Sequence, residues 1–168
     1  MSRPVDKLDF WKGRITDSKN SDIHHSVYRC NGQLWSMLED HHVRIMREHI
    51  KPTDKVLDAA CGYGRMSQYF KKENYVGVDF SPDFIEIAKQ DYPNNSFIVG
   101  DLKNLPFEDE EFDWSFGVSI KDMIVREIGE ADWSLMEKEL RRVSKKIILL
   151  EYSDGKGSHL TDNYKVIK

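Results

Sequence analysis

Apolar positions change their spacing near Ile50, and that change predicts the architecture. From Leu34 to Ile50 the residues Leu34, Trp35, Leu38, Ile45 and Met46 recur near helical spacing, and Pro52 stands just beyond the expected stop. An amphipathic helix is predicted there. Beyond it, short strand-like runs alternate with helical ones, the pattern of a parallel sheet wrapped by helices. Val56 and Leu57 open the first strand, residues 75–79 form the second and residues 96–100 the third. Helices are expected over 65–71 and 82–90. Ser81 caps the latter with its hydroxyl, and Pro82 sits where no amide donor is needed. A fourth strand over 112–120 follows the acidic turn at 108–111. Trp133, Met136, Leu140 and Val143 mark one face of a helix that feeds the strand 147–150, apolar on both sides and so suited to the sheet interior. A short strand signal at 164–167 closes the tail. Residues 1–32 carry charges, aromatics and histidines without a sustained period, and they read as an arm or lid ahead of a domain spanning 33–168.

Composition narrows the class. A chain of 168 residues fits one structural domain, and a net charge of -4 disfavours a whole-molecule grip on nucleic acid. Cys30 and Cys61 are the two cysteines, too few for a disulfide framework, and no apolar run reaches membrane-spanning length. A reduced, cytoplasmic protein is expected.

The chemistry concentrates after the first strand. Gly62 and Gly64 let the backbone turn sharply and approach a ligand closely. Asp79, at the end of the second strand, is placed to accept the hydroxyl hydrogens of a ribose. Asp101 and Leu102 follow the third strand, where a polar acceptor and an apolar wall meet an adenine. Three strand ends thus converge on one crevice. A nicotinamide dinucleotide is the rival ligand, because 62–67 partly mimics the dinucleotide glycine pattern. Against it, Asp58, Ala59, Ala60 and Cys61 delay the glycines, and a nearby Asp58 repels a pyrophosphate while attracting a cationic amino acid.

These segments resemble a known family. Val56-Leu57-Asp58-Ala59-Ala60-Cys61-Gly62-Tyr63-Gly64-Arg65 is similar to motif I of the class I S-adenosylmethionine-dependent methyltransferases, and Gly77-Val78-Asp79-Phe80-Ser81 to their ribose-binding motif. Gly100-Asp101-Leu102, with Leu105-Pro106-Phe107, resembles the adenine-contacting stretch, and Phe112-Asp113 the approach to the fourth strand. The resemblance implies an α/β Rossmann-like three-layer sandwich with a mainly parallel sheet, abbreviated at its C-terminal edge. It implies S-adenosyl-L-methionine as cofactor: its methionine portion on the 58–64 turn, its ribose on Asp79, its adenine on Gly100, Asp101 and Leu102, with Phe80 packed on the base. Ser119, after the fourth strand, faces the sulfonium or the acceptor. The implied activity is methyl transfer, first to a small molecule and alternatively to protein or RNA. A non-catalytic cofactor-binding subunit is the third alternative.

Departures from the family pattern carry their own expectations. Ala60 replaces the first glycine of the turn and costs little if its φ is negative. The short tail leaves the sheet edge abbreviated, or covered by a second subunit or partner. Ser119-Ile120-Lys121-Asp122 stands where amino-methylating enzymes of adenine and cytosine carry Asn-Pro-Pro-Tyr, which disfavours that subgroup. If the acceptor must lose a proton, His24, His25 and Tyr28 are candidate bases, although histidines in a polar arm are mostly surface groups. His41 and His42 read as structural or solvated, Cys61 as packing, and 108–111 as a solvated turn. Arg141, Arg142, Lys145 and Lys146 read as complements of a helix dipole facing solvent. No metal site is expected.

Overall fold

A computed structural model describes residues 32–151 and 164–167. The chain divides into two compact units, Met1–His41 and His42–Lys168, and the sheet lies wholly in the second. Helix α1 spans Gly32–His49; past the unit boundary it buries Val43, Ile45 and Met46, with Val43 and Met46 one turn apart.

Six strands follow: β1 (Val56–Ala59), β2 (Tyr75–Asp79), β3 (Ser96–Val99), β4 (Phe112–Val118), β5 (Ser144–Leu150) and β6 (Tyr164–Ile167). They lie in the order β3-β2-β1-β4-β5-β6, with every pairing parallel except β5 with β6. β1 therefore has β2 on one side and β4 on the other, so the connections diverge beyond its carboxyl end. A crevice opens at such a switch point. The helices α2 (Pro82–Asp91), α3 (Lys121–Glu127) and α4 (Glu130–Val143) complete the described elements.

The core has two clusters. Val56, Tyr75, Phe97, Phe116 and Ile148 belong to one, joined by Val43, Met46 and Ile50. Leu57, Val78, Phe112, Ile147 and Leu149 belong to the other, joined by Trp133, Leu140 and Val143 of α4. Alternation along β1 and β5 sends neighbouring residues to opposite faces, which is how both faces come to be apolar.

Three expectations need correction. The segment expected as a helix over 65–71 is a 3-10 turn, Arg65–Tyr69, followed by a second at Lys72–Asn74; the extended backbone at Phe70 (φ -119°, ψ 156°) ends the first. The fourth strand stops at Val118 rather than 120, because Ser119 takes φ 55° and turns the chain into α3. That helix went unread, although Ile120, Ile124 and Ile128 are spaced four apart. The tail strand forms as β6 and adds one antiparallel strand to the parallel set.

Candidate active site

The turn after β1 is held onto the end of β2 by backbone bonds. Cys61 N–H donates to the Val78 carbonyl (3.0 Å), and Gly62 N–H donates to the Asp79 carboxylate (2.9 Å). The other Asp79 oxygen accepts from Ser81 N–H (2.9 Å), while Gly100 N–H donates to the Asp79 carbonyl (2.9 Å). Asp79 thus ties together the three strand ends that the sequence brings to one crevice. Each carboxylate oxygen keeps acceptor capacity beyond the bond it makes.

Ala60, Gly62 and Gly64 all have positive φ, 58°, 54° and 81°. Ala60 is the correction here: the turn needs a left-handed residue at this position, so alanine carries steric strain of about 1 kcal/mol. Gly64 is more constrained, since a Cβ would fall 2.7 Å from the Phe97 ring and 2.9 Å from the Ala88 Cβ. The helix and the third strand therefore pack directly on the turn's backbone.

Two carboxylates lie under this turn. Asp58 is 2% exposed and accepts a 2.7 Å hydrogen bond from the Tyr75 hydroxyl. Burial raises its pKa to about 7, opposed by the Tyr75 bond and the nearby Arg65 charge. Burial also raises Asp79, to about 6, against the amide donors that favour its charged form. The sequence showed Tyr75 only as a strand residue; no local pattern signals that its hydroxyl reaches two positions further along the neighbouring strand. Cys61 is buried, its thiol pushed well up by burial, and it packs in the first core cluster.

Other predicted residues differ in exposure. Phe80 is 40% exposed beside Asp79, an apolar ring left open at the crevice. Leu102 is buried and Asp101 exposed, with an Asp101 oxygen accepting from Lys103 N–H (2.9 Å). Ser119 donates its amide to the Leu150 carbonyl (2.7 Å), and its buried hydroxyl has no partner among the described residues. Glu151, the residue after β5, accepts from the amides of Lys121 (3.1 Å) and Asp122 (3.4 Å); burial raises its pKa to about 7. His24, His25 and Tyr28 lie outside the described residues.

The basic cluster lies at the end of α4 with Arg141, Lys145 and Lys146 exposed, as the sequence suggests, and its members also have partners within the protein. Arg142 donates to the Phe107 carbonyl (2.8 Å), the Leu105 carbonyl (3.0 Å), Asp109 (2.9 Å) and Glu139 (2.9 Å). Arg141 pairs with Glu137, Lys145 with Asp113, and Lys146 sits over the Trp114 ring. Arg142 is the half-buried member, because the acidic turn and the 105–107 segment fold back onto α4 around it.

A doubly wound sheet with a glycine turn and acidic strand ends at its switch point defines a Rossmann-like nucleoside-binding domain. Residues 56–146 match the family model described as a methyltransferase domain. A demethylmenaquinone methyltransferase of Staphylococcus saprophyticus is 34% identical over 123 residues, 66% of this chain and 50% of the relative. A crystal structure of a Pyrococcus horikoshii protein superposes with TM-score 0.60 at 34% identity, covering 71% of this chain and 58% of that one. An S-adenosylmethionine-dependent methyltransferase of Methanosarcina mazei shares the fold, with TM-score 0.55 at 23% identity over 62% of this chain and 55% of that one. The chain belongs to the methyltransferase domain family, of the class I S-adenosylmethionine-dependent type. It spans about half the length of the curated relatives it matches.

Proposed function

We propose that this protein is an S-adenosylmethionine-dependent methyltransferase acting on a small-molecule acceptor. The observation that carries the reading is Asp79: a nearly buried carboxylate at the end of β2, fixed by the Gly62 and Ser81 amides, beside the open ring of Phe80. That arrangement suits a ribose and its base. Asp58, raised to about 7 by burial, gains from a cationic group on the 59–64 turn, and the amino group of the methionine portion is such a cation. Gly100, Asp101 and Leu102 would border the adenine, and the unpartnered Ser119 hydroxyl the sulfonium side.

Bound S-adenosylmethionine supplies an electrophilic methyl on a positively charged sulfur. The chain's own part is to align that carbon with the acceptor, exclude water, and accept any proton the acceptor must shed. His24, His25 and Tyr28 are the candidates for that last role. Relatives named for demethylmenaquinone support the small-molecule class. In this reading residues 33–168 hold the cofactor and residues 1–32 supply the arm. A cytoplasmic setting and a second subunit or partner at the β6 edge belong to the same proposal. Among the described residues no helix is long and apolar enough to cross a membrane.

Calorimetric titration with S-adenosylmethionine or its demethylated product tests the core of the reading. Binding is expected, and Asp79→Ala weakens it at least about 100-fold through loss of charge-assisted hydrogen bonds. A wild-type chain that binds neither compound overturns the proposal. Labelled methyl should reach a metabolite fraction stripped of macromolecules; label found only in protein or RNA rejects the acceptor class.

A further inference from the structure

The opposite end of the sheet holds a cavity that cofactor binding does not use. Its volume is about 140 Å³, and it lies between the last turns of α1, the 50–54 segment that precedes β1, and the 69–74 segment that precedes β2. Asp58 and Asp79 stand at the carboxyl ends of those same strands. Val43, Met46 and Ile50 give it a buried apolar wall. Phe70 forms another part, stacked on Tyr75 (5.8 Å) and Phe116 (5.3 Å), so this wall is held in place from behind.

The polar groups around it fall into two sets. Asp54, its one carboxylate, already accepts from Lys51 N–H (2.9 Å) and Trp114 Nε1–H (3.1 Å), and the Asn74 amide donates to the Pro52 carbonyl (3.1 Å). Arg47, Lys51 and Lys71 are exposed, and among the described residues no carboxylate pairs with any of their side chains. Three exposed cations, without a carboxylate partner among the described residues, thus surround one apolar hollow.

We infer that this cavity is a second ligand site, one that takes a small anion bearing a single aromatic ring. The size fits: an apolar cavity of about 150 Å³ accommodates one benzene. Burial of the ring against Val43, Met46 and Ile50 supplies affinity, and the anionic group, facing Arg47, Lys51 and Lys71, supplies orientation through charge-assisted hydrogen bonds. The inference is independent of what the carboxyl-end crevice binds.

Phenyl phosphate, inorganic phosphate and benzyl alcohol, titrated separately into the full ¹⁵N-labelled chain, test it by amide shifts. Phenyl phosphate is expected to saturate with a dissociation constant below about 1 mM, moving residues 43–51 and 69–74. Phosphate, which lacks the ring, and benzyl alcohol, which lacks the charge, should each bind at least about tenfold more weakly. The double variant Arg47→Glu, Lys71→Glu changes two exposed side chains and should keep its thermal melt while losing at least about tenfold in phenyl phosphate affinity. The inference is overturned if phosphate alone binds as tightly, if the shifts centre on 58–64 and 79–81, if the variant binds like wild type, or if nothing saturates.

Discussion

The carboxyl ends of β1 and β2 and the junction of α4 with β5 both gather charge, and they treat it in opposite ways. At the junction the central charges are answered by other groups of the protein: Arg142 donates to two carbonyls and two carboxylates, and Glu139 accepts from the Leu105 amide (3.1 Å). Glu139 is accordingly held below its ordinary range by Arg142. At the strand ends Asp58 and Asp79 are buried, their pKa values raised, and set under a turn with left-handed residues at three alternate positions, 60, 62 and 64. A region complete in itself tolerates no ligand and needs none. A region that stores strain and uncompensated burial is finished by whatever binds there.

The largest test of that contrast is Gly64→Ala. A left-handed backbone and a Cβ 2.7 Å from Phe97 should together cost about 3 kcal/mol in denaturant unfolding. Gly62→Ala, with nothing within 4 Å of its added Cβ, should cost only about 1 kcal/mol. Equal costs would mean that close packing on Phe97 does not shape the turn.

Asp58→Asn comes next. Because its folded pKa of about 7 lies above the ordinary 3.8 of an aspartate, the native chain holds a proton that the unfolded chain releases between those limits. Stability from this group therefore falls as pH rises from about 4 to about 7 and stays low above that. The variant should match wild type near pH 4 and be the more stable of the two at pH 8 in ligand-free melts, while binding cofactor less well. A pH-independent difference would remove burial of charge as the cause.

Arg142→Ala should do the reverse of Asp58→Asn. It lowers the melting temperature at every pH by unfastening the 105–109 segment, as thermal melts across the same pH range would show. Smallest is Ala60→Gly. Relief of the φ 58° strain is offset by the greater freedom of glycine in the unfolded chain, for a net gain below about 1 kcal/mol by chemical unfolding.

What could be read from the chain beforehand follows the same division. Strands β2, β3 and β5, helix α2 with its Ser81 cap, and the placement of Asp58, Asp79 and Asp101 at strand ends were legible because each depends on local periodicity or turn chemistry; in the structure Ser81 Oγ accepts the Phe84 amide. The left-handed Ala60 was not legible, since alanine has no side chain that announces such a backbone. Nor were the Tyr75 bond to Asp58 and the Arg142 clasp, which join residues 17 and 37 positions apart. Contacts across strands leave no spacing in the sequence to find.

One consequence of the buried Asp58 concerns the heat of binding. Near pH 7 its carboxyl is divided between acid and anion, so a cation settling on the turn above it drives protons into the medium. The apparent enthalpy of cofactor uptake then depends on the ionisation heat of the buffer, and affinity climbs with pH through neutrality. On the proposed placement of the cofactor, the turn doubles as a proton valve, discharging when it fills.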